Sequence, residues 1–308
     1  MSKYQIILFK IVKLLIIIVI VDMTLGIAAQ KLFYTQKTGK YARSTYAIDK
    51  TDAEILVFGS SHAHRHYVPE VLENKLHSSV YNAGAEGQQL LYHLGLQKMI
   101  LKRIKPKTII LNIDEDFLFQ SNIAYDRLHD LYPYYVTHKD VLRPIFAVNN
   151  RFVDIKMLFK SYLFNSTIIH MTRYYVSPQI DHKGYRPLHG TVNKNYKDLN
   201  PYSVDQKNTI DNNLVLALEE FILNAKSNNI QLVFVTSPKL IKTNYQNNKS
   251  FHLINQMANA QNIPVLNFFN DDRFINNFEL FHDPSHLNDK GASYFTELVS
   301  DKILLLKK

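Results

Sequence analysis

Serine, histidine and a carboxylate together can turn a hydroxyl into a nucleophile, and two short stretches of this chain carry them. Gly59-Ser60-Ser61-His62 follows an apolar run, and Phe281-His282-Asp283-Pro284-Ser285-His286-Leu287-Asn288 lies near the carboxyl end. A serine hydroxyl attacks weakly until a neighbouring base takes its proton. His286 suits that task because an imidazole titrates near neutrality, and Asp283, three residues earlier, is close enough to orient the ring. Ser61 in a strand-to-helix turn would present its hydroxyl to solvent near the positive end of the following helix. The backbone amides of Ser61 and Gly84, with the Asn112 side chain, are candidate donors to the oxyanion of acyl transfer; losing one such donor typically costs about 3–4 kcal/mol. The chain has no cysteine, so thiol nucleophiles, disulfides and cysteine-ligated metal clusters are excluded.

These residues can meet only if the strands before them end at one edge. Glu54–Phe58, Ser79–Tyr81, Thr108–Ile113, Ile230–Thr236 and Ile263–Phe268 read as short β-branched strands, most of them apolar on both faces, as in a covered parallel sheet. Helical patterns fall between them at about 66–76, 88–104, 207–228 and 250–261, and a last one at about 289–306. The alternation predicts a three-layer α/β/α sandwich with a parallel sheet of about five strands. Ligands of such sheets bind beyond the carboxyl ends of the strands. Those ends are Gly59-Ser60-Ser61-His62, Asn82-Ala83-Gly84-Ala85-Glu86-Gly87, Asn112 with Asp114, and Thr236-Ser237-Pro238. Residues 120–205, rich in Tyr, His and Asn and containing Pro133, Pro144, Pro178 and Pro187, break the rhythm and read as an insertion over the sheet.

At these positions the sequence resembles the SGNH (GDSL-like) hydrolase superfamily. Gly59-Ser60-Ser61 matches its nucleophile block, Gly84 its second-block glycine, and Asp283-Pro284-Ser285-His286 its Asp-x-x-His block, followed by Leu287-Asn288 and Gly291. The third block departs, with Leu111-Asn112-Ile113-Asp114 where Gly-x-Asn-Asp is usual. The resemblance covers about residues 52–118 and 228–306 and implies a flavodoxin-like sheet. The Gly-Ser-Ser form behind an amino-terminal anchor is more similar to membrane-tethered members tied to envelope polymers, in alginate O-acetylation and teichoic-acid D-alanylation. It implies acyl, especially acetyl, esters of an envelope glycan as substrate, and no cofactor. The α/β-hydrolase elbow, Gly-x-Ser-x-Gly, fits less well because Ala63 stands in its final place.

Other polar residues invite separate readings. His62, His64 and His66 alternate, which can ligate a metal, but Tyr67 follows where a metallohydrolase motif continues Asp-His. His62 and Asp114 are instead candidate substrate contacts, with His64 and His66 on the following helix, and no metal is expected. Arg186, in Gly184-Tyr185-Arg186-Pro187-Leu188, is a candidate contact to an anionic or sugar substrate, against the plainer alternative of a loop salt bridge.

The 308 residues suffice for one large domain. Lys and Arg number 36 against 27 Asp and Glu, giving +9 and a pI near 9.3. The excess is spread through Lys102-Arg103, Lys105, Lys107, Lys239, Lys242 and Lys307-Lys308, without a nucleic-acid motif. No nucleic-acid partner is expected, and a solvated surface near anionic lipid or polymer accounts for the charge. Residues 4–29 hold only Lys10, Lys13 and Asp22 as charges. The stretch reads as an uncleaved signal anchor; its alternatives are a signal peptide cleaved near Gly26-Ile27-Ala28 and a buried core helix. Asp22 would sit at an interface or pair with a membrane-protein partner.

The expected organisation is a signal anchor or signal peptide at 1–30, a linker at 31–52 and an SGNH-like domain at 53–308. The expected activity is that of a membrane-anchored serine esterase or O-acyltransferase facing the periplasm or cell exterior. A non-catalytic glycan-binding or assembly protein of the same fold is the alternative, and a metal hydrolase using His62, His64 and His66 is the third reading.

Overall fold

The computed structural model describes residues 2–193, 208–245 and 247–306. In chain order its helices are α1 (Lys3–Tyr34), α2 (Gly39–Asp49), α3 (Ser61–His66), α4 (Pro69–Leu76), α5 (Leu90–Leu101), α6 (Asn122–Asp126), α7 (Lys139–Ala147), α8 (Val153–Lys156), α9 (Ile168–Val176), α10 (Asn212–Ser227), α11 (Lys249–Ala260) and α12 (Asp289–Leu306). The strands are β1 (Ile55–Phe58), β2 (Val80–Asn82), β3 (Thr108–Ile113), β4 (Gln231–Thr236) and β5 (Val265–Leu266). Residues 194–205 of the expected insertion, the first residue of the helix expected at 207–228, and the Lys307-Lys308 tail lie outside the described residues.

The chain divides into two compact units, residues 43–127 with 180–308 and residues 1–42 with 128–179. The first holds the sheet. Its five strands are all parallel in the order β2-β1-β3-β4-β5, the flavodoxin-like order, whose switch point lies between β1 and β3. Every residue of β1 and β3 is buried, which explains why both read as unbroken apolar runs. Alternation sends Ile55, Val57, Ile110, Val233 and Val235 into one core with Leu72 of α4 and Phe295, Val299 and Ile303 of α12. On the other face Phe58 meets Phe221 of α10 edge-on at 5.6 Å, and Gln97 of α5 donates to the Phe221 carbonyl at 2.9 Å. Burying each such side chain is worth about 1.5–3 kcal/mol, so helix layers on both faces hold the sheet. The three-layer α/β/α sandwich is therefore present.

The second unit is helical. Phe33 of α1 is buried against Tyr41, Tyr134 and Phe164, while Lys40 and Tyr41 both donate to Asp130. A Cβ at Gly26 would fall 2.5 Å from Cγ of Lys160, so this helix and residue 160 approach more closely than any larger residue permits.

The expected membrane anchor is corrected by the structure: among the described residues, no helix is long and apolar enough to cross a membrane. Residues 3–34 do form the 32-residue helix α1, and Leu8, Phe9, Leu14, Val19 and Leu25 along it are exposed. Lys10, Lys13 and Asp22 divide it, however. The charge-free run Leu14–Val21 has eight residues, about 12 Å of helix against roughly 30 Å of hydrocarbon. Asp22 has its partners within the unit: its carboxylate accepts from the Lys160 and Ser161 amides at 2.8 and 3.0 Å and from Ser161 Oγ at 2.5 Å. The leading membrane helix, the membrane-tethered variant of the family, membrane attachment through residues 1–30, the membrane-protein partner inferred from Asp22, and the periplasmic or exterior location built on that anchor are withdrawn together.

Candidate active site

The turn after β1 sets the first side chain. Gly59 adopts φ +137°, and a Cβ there would lie 2.8 Å from the Asn112 Cβ; only glycine lets the chain pass β3 so closely. Ser60 then caps α3, its hydroxyl accepting from the His62 amide at 3.4 Å. Ser61 is thereby the first residue of α3, where a backbone N–H has no acceptor within the helix.

The loop before α12 sets the second and third. Asp283 folds back on its own turn, with Oδ1 accepting from the Ser285 and His286 amides at 2.8 Å each. Its carboxylate takes the His286 Nδ1 hydrogen at 3.0 and 3.1 Å, and Nε2 of the same ring lies 2.9 Å from Ser61 Oγ. Burial alone would raise the Asp283 carboxyl, but the His286 ring and the two amides outweigh it and hold the group at about 2. The turn is tied to α3 by the Leu287 amide, which donates to Nε2 of His66 at 3.0 Å. His66 is fully buried, and burial, reinforced by His62 and His286, pushes its imidazole well below the ordinary range. It stays a neutral acceptor.

His62 faces a second carboxylate. Its Nδ1 donates to Asp114 Oδ1 at 2.6 Å, its buried Nε2 has no partner, and its ring lies 5.4 Å from that of His286. Burial disfavours a charged ring here, yet the Asp114 carboxylate outweighs it and raises the His62 imidazole. Asp114 is held down reciprocally, against the cost of its burial, by His62, Ser60 and Lys239.

The expected oxyanion donors are placed unequally. The Gly84 amide donates to Asn82 Oδ1 at 2.9 Å. Asn112 is fully buried; its Oδ1 accepts from Tyr67 and Ser237 at 2.8 and 2.7 Å and its Nδ2 donates to Asp114 at 3.3 Å. Asn112 thus ties the strand ends together, leaving the Ser61 amide as the one expected donor without a protein partner among the described residues. The three alternating histidines have separate partners, since His64 lies buried between Asp181 at 3.4 Å and Glu86 at 3.7 Å. Among the described residues no group of three or more His, Asp or Glu side chains could hold a metal ion.

Arg186 reaches the same helix through its backbone. Its amide donates to the His64 carbonyl at 3.3 Å, and its own carbonyl accepts from Arg65 Nη1 at 3.2 Å. The segment around it crosses the end of β2 and continues to the histidine loop. Asn82 donates to the Lys183 carbonyl at 2.9 Å, and Val192 donates to the Phe281 carbonyl at 2.9 Å. The sequence reading names Ser237 at the end of the fourth strand without giving it a role, and it misses Tyr67, Asp181 and the structural use of His66; Asp181 carries no local signal.

Comparison with solved structures finds likeness at low identity. A "putative lipolytic protein of G-D-S-L family" from Desulfitobacterium hafniense DCB-2 is 13% identical, with a TM-score of 0.42, over 80% of this chain and 97% of that one. The acetyl xylan esterase AlAXEase is 13% identical, with a TM-score of 0.39, over 82% and 98%. A "putative platelet activating factor" from Streptococcus pneumonia is 12% identical, with a TM-score of 0.46, over 96% and 98%. No curated protein sequence matches the chain. Residues 5–216, which include Ser61 and Asp114 and stop before Asp283, match the family model described as "Protein of unknown function (DUF1574)", and the chain belongs to that family.

Proposed function

We propose that this protein is a serine-dependent acyl-ester hydrolase. The observation that supports the reading is the continuous line from Asp283 through His286 to Ser61, with 3.0 Å and 2.9 Å between successive partners. As Ser61 Oγ attacks an ester carbonyl, His286 Nε2 takes the hydroxyl proton and Asp283 steadies the imidazolium that forms. The Ser61 amide donates to the developing oxyanion. His286 then passes the proton to the departing alcohol, and a water molecule, deprotonated by the same ring, releases the acid and restores the serine. The His62–Asp114 pair lies beside the His286 ring, with 5.4 Å between the two ring centres. No step needs a metal or cofactor.

The test is hydrolysis of 4-nitrophenyl acetate by the purified chain and by Ser61→Ala. Turnover in the wild type that falls by about 10³-fold or more in the variant is expected. Turnover that survives Ser61→Ala, or a wild type inert to a range of acyl esters, overturns the reading; the second outcome would favour a binding role for the fold.

A further inference from the structure

One turn along α3 from Ser61, Arg43 and Arg65 pair with Asp181 and Glu86, and Arg186 is held next to them by its backbone. Arg43 is only 6% exposed. Its Nη1 donates to Asp181 at 3.1 Å, but its buried Nε and Nη2 have no partner. Arg65 donates from Nε to Glu86 at 3.0 Å. Arg186 is half-buried, pinned by its backbone to His64 and Arg65, and its guanidinium has no hydrogen-bonding partner among the described residues. His64 sits between Asp181 and Glu86 and adds no charge, because burial, with Arg43 nearby, lowers its imidazole. Three cations thus face two anions. Unpaired buried guanidinium hydrogens are costly, and a guanidinium fork suits a two-oxygen acceptor.

We infer that Arg186, backed by the unpaired hydrogens of Arg43, forms a subsite for a singly charged oxyacid group on the substrate, a carboxylate or a phosphodiester. This rests on the hydrolase reading and adds the substrate's charge to it. Arg186 docks on α3 through its backbone, its amide on the His64 carbonyl and its carbonyl on Arg65, which lies four residues after Ser61, about 6 Å along the axis. Burial, Arg65 and Arg43 also press the Arg186 guanidinium below its ordinary range, a pressure that an incoming anion relieves.

The experiment is calorimetric titration of the full chain with dimethyl phosphate and, separately, with acetate, so that the two arms identify the source. Saturable binding of at least one anion is expected, weakened about tenfold or more in Arg186→Gln. Arg186→Lys, which keeps the charge without the fork, should fall between them and decides the matter if the glutamine variant does not fold. Failure of both anions to bind wild type, or equal binding by folded Arg186 variants, overturns the inference. Ser61→Ala separates the two readings: it should lose ester hydrolysis and still bind the anion. Anion binding without any esterase activity would sink the hydrolase alone.

Discussion

Asp114 Oδ1 lies 2.6 Å from His62 Nδ1, so the residue after Ser61 carries a carboxylate–imidazole pair of its own. The His62 imidazole is raised above its ordinary 6.5, because Asp114 outweighs the opposing burial. Its stabilising contribution is therefore complete below about pH 6.5 and is lost as pH rises through the higher folded value. The Asp114 carboxyl is lowered from 3.8, since His62 and its other partners outweigh burial. Its contribution is complete above that value and is lost as pH falls through the lower one.

Asp114→Asn should accordingly destabilise most between about pH 4 and 6.5, by about 3 kcal/mol for a pair this buried. The difference from wild type should shrink at pH 9. Urea denaturation across pH measures it, and a difference independent of pH would contradict the pairing.

Asp283→Asn keeps the size of the side chain and removes the charge that orients His286. With Asp283 held at about 2, the carboxylate is ionised throughout the working range, so the loss should appear at every pH above about 4. Ester turnover should drop by about 10³–10⁴-fold with little change in KM. Steady-state kinetics at several pH values check this; a KM effect with intact kcat would contradict it.

Gly84→Ala should destabilise although Ala is the smallest change available. The added Cβ would lie 2.5 Å from the His64 amide nitrogen and 2.8 Å from both Ala63 Cβ and Asn82 Oδ1. A cost of about 1–3 kcal/mol is expected from such overpacking, read as a lower urea midpoint. An unchanged midpoint would mean that the loop after β2 is not held against α3.

Gly184→Ala tests the segment that crosses β2. Gly184 has φ +87°, and its Cβ would fall 1.9 Å from the Asn82 carbonyl oxygen, a contact that side-chain movement cannot relieve. Hydrogen exchange should accelerate at Asn82, whose amide donates to Lys183, and unchanged protection there would contradict the docking.

Much of this arrangement was legible because it is local or periodic. β1 and β3 announce themselves as apolar runs because both of their faces are covered, and Asp283 with His286 share one turn. Asn112 was harder to read. Its place at the strand end suggested a donor for substrate, but it pairs across the sheet with Val235, and its side chain is fixed by Tyr67 and Ser237, which come from elsewhere in the chain. Residues 180–193 dock through backbone bonds to Asn82 and Phe281, through Tyr185 and Val192 in the core, and through the Tyr185 hydroxyl on Asp289, partners far apart in the sequence. The apolar sequence of α1 suggested a membrane span because hydropathy does not register that Asp22 binds the amides of residues 160 and 161.

Covalent labelling asks whether Ser61 is a nucleophile activated by His286. Wild-type protein treated with a fluorophosphonate and analysed by mass spectrometry should carry one adduct, on the peptide containing Ser61. The adduct should be absent from Ser61→Ala and form far more slowly in His286→Ala. Labelling at another residue, or undiminished labelling of His286→Ala, would show that Ser61 is not a nucleophile activated by His286.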